Sequence, residues 1–71
     1  MAIVVIQNKE SAIIHKNIAD EHSAIQGYHE MLETITDDED VKVIEEIISE
    51  ELKHVELLSK ILKKYSDIKP E

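Results

Sequence analysis

Two glutamates and one histidine are the residues through which this chain could do chemistry. Glu51 and His54 stand three apart in Glu51-Leu52-Lys53-His54, inside an otherwise apolar helical pattern, and Glu21 interrupts a second such pattern thirty residues earlier. Side chains three apart on a helix are neighbours, so Glu51 and His54 share a face. Carboxylates and an imidazole buried among aliphatic side chains are unfavourable unless something compensates them, and a bound cation can compensate all three. The expected metal ligands are therefore Glu21, Glu51 and His54.

Two helices must position them. Ile14, Ile18, Glu21, Ile25, Tyr28, Leu32 and Ile35 alternate steps of four and three, the period of an amphipathic helix, and only Glu21 is charged. Ile44, Ile48, Glu51, Val55, Leu58, Leu62 and Tyr65 repeat the pattern, with Ile47, His54 and Ile61 widening the stripe to one side. Gly27 falls within the first helix but off its seam, at a cost of about 1 kcal/mol relative to alanine. The spacing predicts helix 1 over 11–35 and a capped turn with helix 2 over 36–64. Asn8 and Ser11 are both candidate caps for helix 1, and Thr36 with Glu39 matches a capping box for helix 2. The acids around that turn suit the positive end of a helix, and they lack the central glycine and the longer ligand series of a calcium loop. Residues 1–10 form an N-terminal arm whose apolar start could be a short strand or an extension of helix 1. Residues 65–71 are a polar tail expected to fray.

Glu21 lies about 15 residues before the turn and Glu51 about 14 after it. At 1.5 Å per residue both stand roughly 21–23 Å from the turn, at one height. The hairpin thus presents two carboxylates and an imidazole at one level. It also has an apolar face that it cannot bury alone. The expected fold class is all-α: a two-helix antiparallel hairpin that dimerises into a four-helix bundle, doubling the set to four carboxylates and two imidazoles. Two divalent cations would balance those four charges, and oxygen-rich ligands with one histidine per metal suit iron, with manganese or zinc as substitutes.

Bulk properties narrow the alternatives. The chain has 71 residues, no cysteine, and sixteen acidic against eight basic residues, for a net charge of −8. Disulfides, iron–sulfur clusters and thiolate zinc sites are excluded, leaving a metal or self-association to support a domain this small. The negative charge repels nucleic-acid phosphates and anionic lipid, so neither nucleic acid nor membrane is an expected partner. The run Ala2-Ile3-Val4-Val5-Ile6 is too short to span a bilayer and lacks the flanks of a signal peptide. The expectation is a cytoplasmic protein, or one held within a protein compartment, that forms a homodimer or higher homo-oligomer.

The segment Ile18-Ala-Asp-Glu-His-Ser-Ala-Ile-Gln-Gly-Tyr28, with Glu50-Glu-Leu-Lys-His54, resembles half of a rubrerythrin-type ferritin-like domain. It is also similar to the two-helix ferritins of encapsulin compartments, which build a di-iron centre across a dimer interface. The resemblance covers roughly residues 11–65 and matches the ferritin-like ligand set, a Glu from each of two helices and Glu-x-x-His from each of the other two. It implies Glu51 as the carboxylate bridging both metals, His54 and Glu21 as terminal ligands, and Tyr28 as a neighbour of the site. The activity it implies is oxidation of Fe(II) by dioxygen or peroxide, a ferroxidase-like oxidoreductase. Rubrerythrins carry a further carboxylate one turn after the first ligand glutamate, where this chain has Ala24, and a cysteine-rich electron-donor domain that has no counterpart here. The resemblance therefore carries metal binding further than peroxidase turnover.

Two other readings stand beside it: a non-catalytic helical dimerisation module, and a single metal per monomer held by the same three residues. His15, His22 and His29, spaced by seven, form a flank of helix 1 more suited to solvent or an interface than to metal. Asp20, Glu30 and Glu50 are candidates to hydrogen-bond the free nitrogen of His54 across the dimer.

Overall fold

The computed structural model describes residues 9–66. Within them the chain forms α1, Lys9–Thr34, and α2, Asp38–Ser66. The two helices pack against each other as an antiparallel hairpin. They are about 39 and 43 Å long at the standard rise. Helix α1 starts two residues before the expected boundary and ends one before it, so Ser11 lies inside the helix rather than at its cap. Helix α2 continues through Tyr65 to Ser66. Of the arm expected over 1–10, Lys9 and Glu10 already belong to α1; residues 1–8 and the tail beyond 66 lie outside the described residues.

The reversal is made by residues 35–37, without any positive-φ residue among those described. Ile35 N–H still donates to the Met31 carbonyl at 2.8 Å, which ends α1 without a glycine. The expected Thr36–Glu39 capping box does not form the start of α2. Instead the Asp37 carboxylate (Oδ2) accepts the Asp40 N–H at 3.1 Å, and the Asp37 carbonyl accepts the Val41 N–H at 2.9 Å. The cap is thus one residue later than the spacing suggested. An ionised carboxylate at the positive end of a helix is a stronger acceptor there than a neutral threonine hydroxyl.

Both seams face inward. Ile25, Ile44 and Ile48 form the buried core, with Tyr28, Leu32, Ile35 and Val55 packed against it. This core lies in the half nearest the turn, where the connection holds the helices together. Ile14, Ile18, Leu58 and Leu62, in the open half, are only half-buried. The radius of gyration is 17.1 Å, against about 11 Å for a compact domain of this length. Among the described residues seven large hydrophobic side chains are exposed, Ile13 (61%), Val43 (55%) and Leu57 (56%) among them. One side of each helix is covered by the other helix and the remainder is open. No described helix is long and apolar enough to cross a membrane.

Candidate metal centre

Glu21 comes from the inner face of α1, and Glu51 and His54 from successive turns of α2, close to the middle of both helices. One ligand atom from each lies within 4.8 Å of the other two. His54 Nδ1 stands 3.6 Å from Glu21 Oε2 and 3.9 Å from Glu51 Oε1. Those separations are too long for hydrogen bonds and leave the three polar ends converging on one point. Among the described residues it is the single group of three or more such side chains that could hold a metal ion.

The three side chains are not equally covered. Glu21 and Glu51 are 27% and 20% exposed, while the imidazole is 55% exposed. The expectation that all three are buried is corrected for this hairpin: two helices cover only the inner seam, and His54 sits on its open flank. Glu21 Oε2 is nonetheless shut off from solvent and has no hydrogen-bond partner. A buried acceptor without a donor is unfavourable, and a carboxylate oxygen more so than a neutral one.

The electrostatics agree with crowding of negative charge. The Glu51 carboxyl is held above its ordinary value, first because its protonated form can hydrogen-bond the Glu21 carboxylate beside it. Partial desolvation and repulsion from the Glu21 charge act in the same direction, with a smaller push from Glu50, while His54 opposes them. While both carboxylates are ionised, Glu21 Oε2 accepts no hydrogen bond, and His54 Nδ1 stands 3.6 Å from it. A shared proton or a bound cation would satisfy it. The donor set therefore fits a hard or borderline cation such as iron, manganese or zinc.

An open groove of about 330 Å³ adjoins the cluster, lined by Asn17, Glu21, His54, Leu57 and Leu58. Asn17 is fixed on its wall by donating from Nδ2 to the Ile13 carbonyl at 2.9 Å. Asn17 and Leu57 were not legible as part of the site from the seams alone. Their signal is subtler: Asn17 precedes Glu21 by four residues and Leu57 follows His54 by three, so each continues the flank on which the cluster opens. Tyr28 is half-buried and packs against the isoleucine core. His15, His22 and His29 are exposed, as are Asp20, Glu30 and Glu50. No contact brings an acidic residue other than Glu21 and Glu51 to His54 among the ion pairs of the described residues.

Comparison with protein families, curated proteins and solved structures found no match. What the site can do is therefore read from its own geometry.

Proposed function

We propose that this chain is half of a ferritin-like di-iron carboxylate protein, completed when two hairpins dimerise into a four-helix bundle, and that it oxidises Fe(II). The observation that carries this reading is the buried Glu21 Oε2, which has no hydrogen-bond partner and faces a second carboxylate and an imidazole within 4.8 Å. A cation held by Glu21, Glu51 and His54 would neutralise the carboxylate pair and satisfy that oxygen. In the dimer, two such sets supply four carboxylates for two divalent ions. Fe(II) is then the substrate: two ions each lose one electron, and one dioxygen takes both with two protons, leaving two Fe(III) and hydrogen peroxide.

The residues have separate tasks. The half-buried glutamates provide negative charge that favours the ferric over the ferrous ion. Uptake expels any proton held by the Glu51–Glu21 pair, so binding strengthens as the pH rises through the raised Glu51 value and levels off above it. His54 must be neutral to ligate, and its exposure keeps the site accessible until a partner covers it. The test is anaerobic loading of the purified protein with Fe(II), which should give about one iron per chain. Air should then produce a ferric absorption band faster than in buffer alone. Unchanged iron uptake in Glu51→Ala would remove the site from consideration.

The exposed apolar side chains favour a second reading, a helical module that dimerises without metal. It expects Glu21→Leu and Glu51→Leu to stabilise the protein and metal to leave its melting temperature unchanged. A single metal per monomer would instead survive dilution to the monomeric state.

A further inference from the structure

We propose that Asn17 is a positioning residue for the candidate metal centre. Its Oδ1 accepts the hydrogen bond that the His54 imidazole donates from Nε2, the nitrogen turned away from the ligand cluster. The inference rests on His54 binding metal, but neither on the number of metals nor on their redox chemistry.

The two nitrogens of His54 have different tasks. Nδ1 faces the two carboxylates, 3.6 Å from Glu21 Oε2 and 3.9 Å from Glu51 Oε1. It is therefore the ligand atom, and metal can bind it only when the ring proton sits on Nε2. A metal-bound imidazole whose N–H finds an acceptor is held in one orientation and is a stronger base toward the metal. Neither ion pair of His54 uses Nε2. Asp20, Glu30 and Glu50, the acidic candidates for this task, are exposed, and none pairs with the imidazole among the described residues.

Asn17 stands where an acceptor is needed. It lies four residues from Glu21 toward the open end of the hairpin, and His54 lies three from Glu51 in the same direction. With Glu21 and Glu51 level, Asn17 and His54 differ in height by about 1.5 Å. Both line the groove of about 330 Å³ beside the cluster. Its other walls are Glu21, itself a ligand, and Leu57 and Leu58, whose side chains offer no polar atom. Asn17 is thus the one polar side chain of the groove outside the ligand set.

Its orientation is already set. Asn17 Nδ2 donates to the Ile13 carbonyl at 2.9 Å, a contact the amide oxygen has no proton to make. That bond fixes which end of the amide is which and leaves Oδ1, an acceptor only, for the groove. Asparagine is a poor helix former, and Asn17 is exposed in mid-helix, so the fold alone gives no reason for an amide there. A neutral acceptor also orients the imidazole without drawing off its proton. His54 then stays a neutral ligand, and the charge of the centre is that of its glutamates.

The test uses the isotope-labelled full chain with Zn(II), titrated for affinity and examined by proton–nitrogen correlation spectra of the histidine rings. The His54 signals are those missing from His54→Ala. The parent protein should show His54 bound through Nδ1, with an Nε2–H proton in slow exchange with water. Asn17→Ala should lose that proton signal and bind Zn(II) at least about tenfold more weakly. Its helical content and metal-free stability should not fall, so a merely structural role would leave both readouts unmoved. Asn17→Asp keeps an acceptor in place and should bind Zn(II) at least as tightly as the parent. Asp20→Asn and Glu50→Gln should keep the N–H signal. Should Asn17→Ala not fold, the parent spectrum and Asn17→Asp decide.

Unchanged affinity and N–H signal in Asn17→Ala would overturn the inference while leaving the metal centre intact. Loss of the signal in Asp20→Asn or Glu50→Gln, metal bound through Nε2, or no protected N–H in the parent would overturn it equally. A parent protein that binds no Zn(II) removes the metal centre and this role of Asn17 with it. A centre that holds Zn(II) in this way but does not oxidise Fe(II) would sustain the inference and remove the ferroxidase reading.

Discussion

A carboxylate placed beside another carboxylate is stabilised by whatever neutralises one of them, and at Glu51 that competition is open to measurement. Its folded-state value is raised above 4.5, so the group favours the folded chain below 4.5 and loses that contribution as the pH rises through the raised value. Metal-free protein should therefore lose stability relative to Glu51→Gln on going from below pH 4.5 to neutrality. Urea unfolding in chelator across that range checks it, and a difference that stays flat would mean the two carboxyls do not interact. Added Zn(II) at neutral pH should reverse the order, because binding to the folded state stabilises only a chain that keeps its ligands. His54 offers a complementary test. Its side chain is more than half exposed, so His54→Ala should change metal-free stability by no more than about 0.5 kcal/mol, the range of ordinary surface substitutions. The same variant should lose most of its metal affinity in titrations of Zn(II). A large loss of stability with metal binding intact would identify His54 as a packing residue.

At the scale of the helices, the start of α2 depends on Asp37 rather than Thr36. Asp37→Ala should cost about 1 kcal/mol of stability in denaturant unfolding, and Thr36→Ala less than about 0.5 kcal/mol; the reverse ranking would restore the threonine cap. The run Thr36-Asp37-Asp38-Glu39-Asp40 contains overlapping cap candidates, and local spacing alone does not choose between them. The seams are legible for the opposite reason: seven positions in each half of the hairpin, Ile35 just past the end of α1 included, repeat one period, and every one except Tyr65 is buried or half-buried. The level placement of Glu21 and Glu51 follows from counting residues to the turn, and the structure brings both to His54. Periodicity names a face but not what covers it. That is why spacing does not give the exposure of His54 or the flank it forms with Leu57 and Asn17. Gly27 belongs to that flank. In an isolated hairpin Gly27→Ala should add up to about 1 kcal/mol by helix propensity, since nothing obstructs a new Cβ. A destabilisation that appears only at dimer-forming concentrations would place a partner helix against it.

The molecule as a whole has too little interior to account for its own order. Among the described residues three isoleucines are buried, none of them in the open half of the hairpin, and the radius of gyration far exceeds that of a compact domain. Helices of this length draw most of their stability from packing, so folding and association should be one event. On dilution, far-UV circular dichroism should lose helical signal in step with the fall in mass measured by sedimentation. The melting temperature should rise with protein concentration. Salt adds a second axis, because two copies that each carry a net charge of −8 repel one another through charges that are screened within about 10 Å at 0.1 M ionic strength. Raising NaCl should shift the dissociation midpoint to lower protein concentration. If the mass halves while the helical signal holds, the hairpin supports itself. The half-exposed site would then belong to a stable monomer, and the two-metal chemistry would lack the second ligand set it needs.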